Sequence, residues 1–137
     1  MKATGSFTPT KWDENTTTQI LDTQKITKAS VELAFKGDEI EGVAAVEWMM
    51  FYRHADEKDQ HKSSATYNGI IRFEGTLQGK AGSFVMEDGG TYDNGALNAS
   101  LKILSDSGTG ELAGISGTAS YRSTPEGMSF SIDYQLS

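Results

Sequence analysis

The chain has 137 residues, no cysteine and a formal charge of -7. That fits one domain over residues 1–137 with a real core, and it excludes disulfides, thiol catalysis and thiolate metal sites. So acidic a balance argues against a surface that tracks phosphates, and hence against a nucleic-acid partner.

No apolar run approaches the roughly 20 residues that a membrane span needs. The N-terminus, Met1-Lys2-Ala3-Thr4-Gly5-Ser6-Phe7, lacks the apolar stretch of a secretory signal, so a cytoplasmic location away from membranes is expected. Fifteen glycines against two prolines, frequent Thr and Ser, and no sustained helical periodicity predict an all-β chain of short strands joined by turns. Residues 3–12 read as a first strand, although Pro9 suits an edge or an end. Asp13 to Gln24 is polar and Thr-rich, pinned only by Ile20 and Leu21. It reads as a long loop, a solvated connection in preference to a lid.

The second strand alternates cleanly, with Ala29, Val31, Leu33 and Phe35 on one face. Gly37-Asp38 fits a two-residue turn with Gly first, which would oppose Phe35 to Ile40 and Val31 to Ala44. Opposed residues share a face, so Ala44, Val46, Trp48, Met50 and Tyr52 point inward on the third strand. Its other face carries Glu47 among Val43, Ala45, Met49 and Phe51. A strand apolar on both faces is covered on both, so that outward row calls for a partner subunit or a covering loop.

His54 to Ser64 is a charged connection. A fourth strand follows with Tyr67, Gly69, Ile71 and Phe73 on one face. Gly79-Lys80 is again Gly-first and would oppose Phe73 to Met86. Asn94-Gly95 is the strongest hairpin signal and opposes Tyr92 to Leu97, Asp88 to Leu101 and Met86 to Ile103. In each hairpin the turn and the alternation select the same inner face. A glycine-punctuated segment, Ser105 to Gly117, leads to a strand through Ala119 and Tyr121. The turn Thr124-Pro125-Glu126-Gly127 leaves the register of the last strand, Met128 to Leu136, open by one residue. About eight strands are enough to close an antiparallel barrel and remove its edges.

Residues Gly108 to Tyr121 resemble the glycine-rich late-strand segment of allene oxide cyclase-like (calycin-like) barrels. The closer likeness is to a family of small bacterial proteins of unknown function with that barrel. It also takes in Glu47-Trp-Met-Met-Phe-Tyr52, Tyr67-Asn-Gly69 and Gly75 to Val85. The resemblance implies a closed antiparallel allene oxide cyclase-like barrel and no activity, because the bacterial family has no settled one; the cyclases' catalytic residues map onto no motif position here, so none is carried over. The family pattern carries a His near the place of Asp88, so a shared proton-transfer role at that position is in question.

Candidate sites follow from the inner face. Trp48, Tyr52, Tyr67, Tyr121 and Tyr134 share the inward parity with Tyr92. They either fill the interior or line a pocket for a small, mostly apolar ligand, their polar ends orienting it. Asp88 is the carboxylate on the inner parity of a well-defined strand and would be a general acid or base if buried. Gly89-Gly90 favours the alternative, a hydrated rim or bulge. Glu47 is a second candidate, should a bulge swing it inward. Gly108, Gly110 and Gly114 stand one residue off a dinucleotide fingerprint, without its strand-then-helix setting, and read as turn glycines. His54, His61, Asp56, Glu57 and Asp59 match no metal-ligand spacing and read as a solvated loop, so no metal and no cofactor is expected.

Three functional classes result. The first is a small-ligand-binding barrel, homo-oligomeric through Val43, Ala45, Met49 and Phe51. The second is an isomerase or cyclase of the allene oxide cyclase type, and the third a ligand-free structural or oligomerisation module.

Overall fold

Buried and exposed side chains alternate along most of the chain, as they must where a pleated strand has one face on a core and one in water. A computed structural model describes residues 1–59, 62–125 and 127–137. Its strands are β1 (Lys2–Gln19), β2 (Lys25–Lys36), β3 (Ile40–His54), β4 (Ser64–Leu77) and β5 (Lys80–Asp93). They continue as β6 (Ala96–Ile103), β7 (Thr109–Gly110), β8 (Ser116–Thr124) and β9 (Gly127–Gln135). All belong to one antiparallel sheet, and eight of them form a closed ring in the order β1-β2-β3-β4-β5-β6-β8-β9, with β9 returning to β1. Among the described residues no helix is long and apolar enough to cross a membrane.

The first strand corrects the sequence reading. β1 does not stop at residue 12. Residues 13–19 continue it and pair with β2 as far as Gln19 opposite Lys25. The run Asn15-Thr16-Thr17-Thr18 is rich in a β-branched residue that favours the pleat. The register shifts between Pro9 and Lys11 and again between Thr16 and Thr18, so Thr10 and Thr17 are taken up in bulges. Pro9 sits beside the first bulge and past the last β1–β9 pair, Phe7 with Met128, where a missing N–H is tolerated.

Two hairpins close differently from the expected turns. Phe35 opposes Gly42, not Ile40, across the connection Gly37–Glu39. Phe73 opposes Phe84, not Met86, because the β4–β5 turn is Gln78-Gly79. Both turn residues have positive φ, 48° and 81°, the requirement of a type I′ turn, which matches strand twist better than the Gly-first alternative. Each shift is two residues, so every inward side chain stays inward. The Asn94-Gly95 hairpin has the predicted register. The last hairpin pairs Thr124 with Gly127 and Tyr121 with Phe130.

The ring has two distinct ends. At one lie the β2–β3 and β4–β5 turns, both chain termini, and the segment after β6. There β7 pairs with Gly82 and Ser83, and Leu112 and Ile115 are buried in the core. Gly110 and Gly114 have φ of 63° and 82°, as expected of turn glycines. At the other end lie the β1–β2, β5–β6 and β8–β9 hairpins and the β3–β4 connection.

Candidate functional site

Aromatic residues fill the two ends unequally. Phe7, Phe35, Phe73, Phe84 and Phe130 form a continuous ring-on-ring cluster, with centroids 5.1 to 5.4 Å apart along the path Phe7–Phe35–Phe73–Phe84 and from Phe35 to Phe130. These rings carry no polar atom and need no partner, so they pack tightly in the tilted and edge-on geometries that aromatic pairs prefer. Phe7 also meets Tyr121 edge-on at 5.1 Å. From that contact outward the inward residues become Tyr, Trp and Asp.

Each polar atom there needs a partner. Asp88 is 2% exposed, because β5 runs straight through Gly89-Gly90 in register with β4 and β6. The hydrated rim or bulge expected from those glycines is therefore corrected: Asp88 lies inside. Its Oδ2 accepts hydrogen bonds from Trp48 Nε1 (2.7 Å) and from the Tyr121 hydroxyl (3.0 Å), and the hydroxyls of Tyr121 and Tyr67 lie 2.7 Å apart. Oδ1 is buried and, among the described residues, accepts no hydrogen bond. Burial pushes the Asp88 carboxyl above its ordinary range, against the two hydrogen bonds that oppose the shift. The phenols of Tyr67 and Tyr121 are pushed upward, chiefly by burial with the Asp88 charge adding to it, so both keep their protons.

Two glycines make room for this cluster. A Cβ on Gly90 would strike the Tyr67 hydroxyl and the Asn98 backbone, and one on Gly69 would strike the Glu47 carbonyl and the Trp48 ring. Tyr67 and Trp48 occupy the space those side chains would have taken, their rings 5.3 Å apart.

Beyond this layer the interior is hollow. A cavity of about 810 Å³ reaches toward the hairpin end, its wall including Trp12, Trp48, Met50, Tyr52, Tyr67 and Tyr92. Trp12 and Trp48 lie 5.6 Å apart. Glu14, on the extended part of β1, is half-buried. Its Oε2 accepts from the Tyr52 hydroxyl and from Thr27 Oγ1, both at 2.7 Å, while Oε1 accepts from Trp12 Nε1 at 3.0 Å. Burial first, then the Glu14 hydrogen bond and charge, raise the Tyr52 phenol. Asp13, Asp56 and Glu57 join Glu14 on the wall, with Lys25 as the cation, its Nζ 5.4 Å from the Tyr52 ring centre. Backbone N–H groups of Asp59 and Lys58 hold the Asp56 carboxyl below its usual range.

Of the residues proposed from sequence, Trp48, Tyr52 and Tyr67 line the cavity together. Tyr121 stands behind Tyr67 in the Asp88 cluster. Tyr134 is buried at the opposite end, where its hydroxyl donates to Gln78 Oε1, and it does not line the cavity. Glu47 is exposed and accepts from Ser30 Oγ. Trp12, Glu14 and Thr27 were not singled out. The first two fell in or beside the stretch read as a loop, where the i, i+2 spacing of Trp12, Glu14 and Thr16 was the available signal. Among the described residues no three His, Asp or Glu side chains are placed to hold a metal ion, and His61 lies outside those residues.

The outward row of β3 is exposed in the single chain, with Val43 at 58%, Met49 at 45% and Phe51 at 37%. Ile70 of β4, opposite Glu47, extends it.

The model of a family described as "Protein of unknown function (DUF3224)" matches residues 3–136. A DUF3224 protein of unknown function from Shewanella oneidensis MR-1 has a similar crystal structure, with a TM-score of 0.80 and 24% identity. The match covers 100% of this chain and 97% of that one; at that identity the likeness speaks to the fold. No curated protein matches the chain.

Proposed function

The chain belongs to the DUF3224 family, whose function is unknown, and from that premise we propose that it is a binding protein for a small, mostly apolar ligand. One observation carries this reading. The same ring is packed solid with phenylalanine at one end and holds a cavity of about 810 Å³ walled by Trp, Tyr and Met at the other. That volume falls in the range of small-molecule sites, and the wall sets aromatic and aliphatic faces beside polar groups that can orient a ligand. A filled, ligand-free module fits only the phenylalanine end.

The test uses the two tryptophans, which are the whole tryptophan content of the chain and both stand on the cavity wall. Aromatic and fatty-acid-like compounds are titrated against intrinsic fluorescence and melting temperature. A saturable fluorescence change with a rise in Tm supports the reading, by linkage of binding to stability. A flat response across both sets rejects it.

The proposal extends to a cytoplasmic protein with an allene oxide cyclase-like ring. It also extends to a homo-oligomer through Val43, Ala45, Met49 and Phe51, because an apolar row of that size suits a protein surface better than water. A monomeric mass by light scattering would reject the oligomer alone.

A second reading, an isomerase or cyclase, is favoured by buried Asp88, a carboxyl with a raised pKa behind a cavity wall. It predicts turnover of a bound compound that D88N abolishes while binding persists.

A further inference from the structure

We propose that the ligand of this cavity is an organic ammonium, an apolar body of aromatic size bearing an N–H cation. The inference rests on the cavity reading above and adds to it a charge and a hydrogen-bonding polarity. Two separate features of the wall lead to it.

The first is where the protons go. An indole has one N–H and accepts nothing; a hydroxyl has one proton. Trp12 gives its N–H to Glu14 Oε1, and Thr27 and Tyr52 give theirs to Glu14 Oε2. Trp48 gives its N–H to Asp88 Oδ2, and Tyr121 gives its proton to the same oxygen. With the Tyr121 proton committed, the 2.7 Å contact between the two phenols uses the proton of Tyr67. Tyr52 and Thr27 therefore have no proton left for a ligand, Tyr67 has given its own to Tyr121, and Glu14 presents a carboxylate. Such a wall is rich in acceptors, and the group that completes it is a donor. A ligand ending in a carbonyl or carboxylate would leave these oxygens facing another acceptor, an arrangement that buried sites reject strongly.

The second feature is charge. Glu14, Asp56 and Glu57 stand on the wall against Lys25. A cation entering there is attracted, and in a partly desolvated site that attraction exceeds its value in water. The Trp12–Trp48 pair supplies aromatic faces on which an ammonium or its apolar body can rest. Acceptors, negative charge and indole faces all suit the same kind of molecule.

The experiment is a matched series on one skeleton, phenethylammonium, phenethyl alcohol and phenylacetate, titrated into the whole chain and read by tryptophan fluorescence and Tm. The ammonium is expected to bind about tenfold or more tightly than the alcohol, with phenylacetate weakest. Added salt should weaken the ammonium selectively. E14Q should reduce ammonium affinity by about tenfold and alcohol affinity clearly less, a split that general structural damage would not produce. Should E14Q fail to fold, D56N tests the same split, since Asn keeps the backbone hydrogen bonds that Asp56 makes. Equal binding of all three compounds, or preference for phenylacetate, would overturn the ammonium assignment and leave the cavity reading standing. No binding by any of them, together with a flat aromatic and fatty-acid screen, would overturn both.

Discussion

The phenylalanine end and the tyrosine–tryptophan end are made by the same eight strands, yet they solve opposite problems. At the first, Phe35, Phe73 and Phe84 are at most 2% exposed and have no polar atom to satisfy. Their burial contributes hydrophobic and dispersion energy with nothing to offset it. At the second, Trp48, Tyr67, Tyr121 and Asp88 are nearly as buried, but each polar atom must find a partner and, among the described residues, Asp88 Oδ1 finds none. Such clusters fix geometry at some expense of stability. The difference teaches where to expect rigidity and where to expect function: stability should come from one end and recognition from the other.

The sharpest way to break that comparison is F73A. Removing a fully buried ring that packs between Phe35 and Phe84 should lower unfolding free energy by about 4 kcal/mol in denaturant melts. A loss below about 1 kcal/mol would show that the closed end does not carry the stability. D88A comes next. It leaves the Trp48 N–H and the Tyr121 hydroxyl without their acceptor, and a loss of about 3 kcal/mol is expected. D88N retains an acceptor oxygen and should lose clearly less.

G90A should cost about 2 kcal/mol through its collision with the Asn98 backbone and the Tyr67 hydroxyl. It should also displace Tyr67 enough to alter the emission of neighbouring Trp48. Wild-type emission in a destabilised G90A would count against the cluster as a single unit.

A fourth prediction uses pH. The Asp88 carboxyl is raised in the folded protein, so folding favours its protonated form. Its contribution to stability is thus fully present below the ordinary carboxylate pKa of the unfolded chain and is lost as pH rises through the higher folded value. D88N cannot ionise there. Its stability relative to wild type should therefore improve from acid toward neutral pH, as measured by denaturation at several pH values. A difference that stays constant would mean that Asp88 ionises without penalty.

The smallest expected effect is that of E14Q, under about 1 kcal/mol, since Glu14 is half-buried at the hairpin end. A larger loss would move Glu14 from recognition to structure.

Much of the ring was legible because its strands alternate strictly. Ala29 to Phe35 and Leu97 to Ile103 each have one apolar face, and a period of two leaves a single way to bury it, while Ala44 to Tyr52, apolar on both faces, takes its facing from the hairpin with β2. Asn94-Gly95 had the right register because both residues tolerate positive φ, at 49° and 87°. The other two turns were misread since a lone glycine fits two turn types. The error was harmless to the faces, as each displacement was even. In sequence, residues 13–19 read as a loop because their polar residues signal solvent as much as strand; pairing with β2, a tertiary matter, decides between them. The burial of Asp88 was hidden for a related reason. Two glycines after an aspartate resemble a rim when only neighbours in sequence are considered. Here Gly90 answers to Tyr67, distant in the chain and adjacent in space.

The ring closes along a seam only six residues long, Lys2–Phe7 against Met128–Asp133, reinforced by the Met1 ammonium on the Tyr134 carbonyl, 133 positions away. Hairpins can zip early, since their partners are neighbours along the chain, whereas this join waits for the longest loop in the molecule to shut. A sheet folded up to that join would be a curled ribbon with two bare edges. Substitutions along the junction should therefore slow folding and promote aggregation more than equally destabilising ones inside a hairpin.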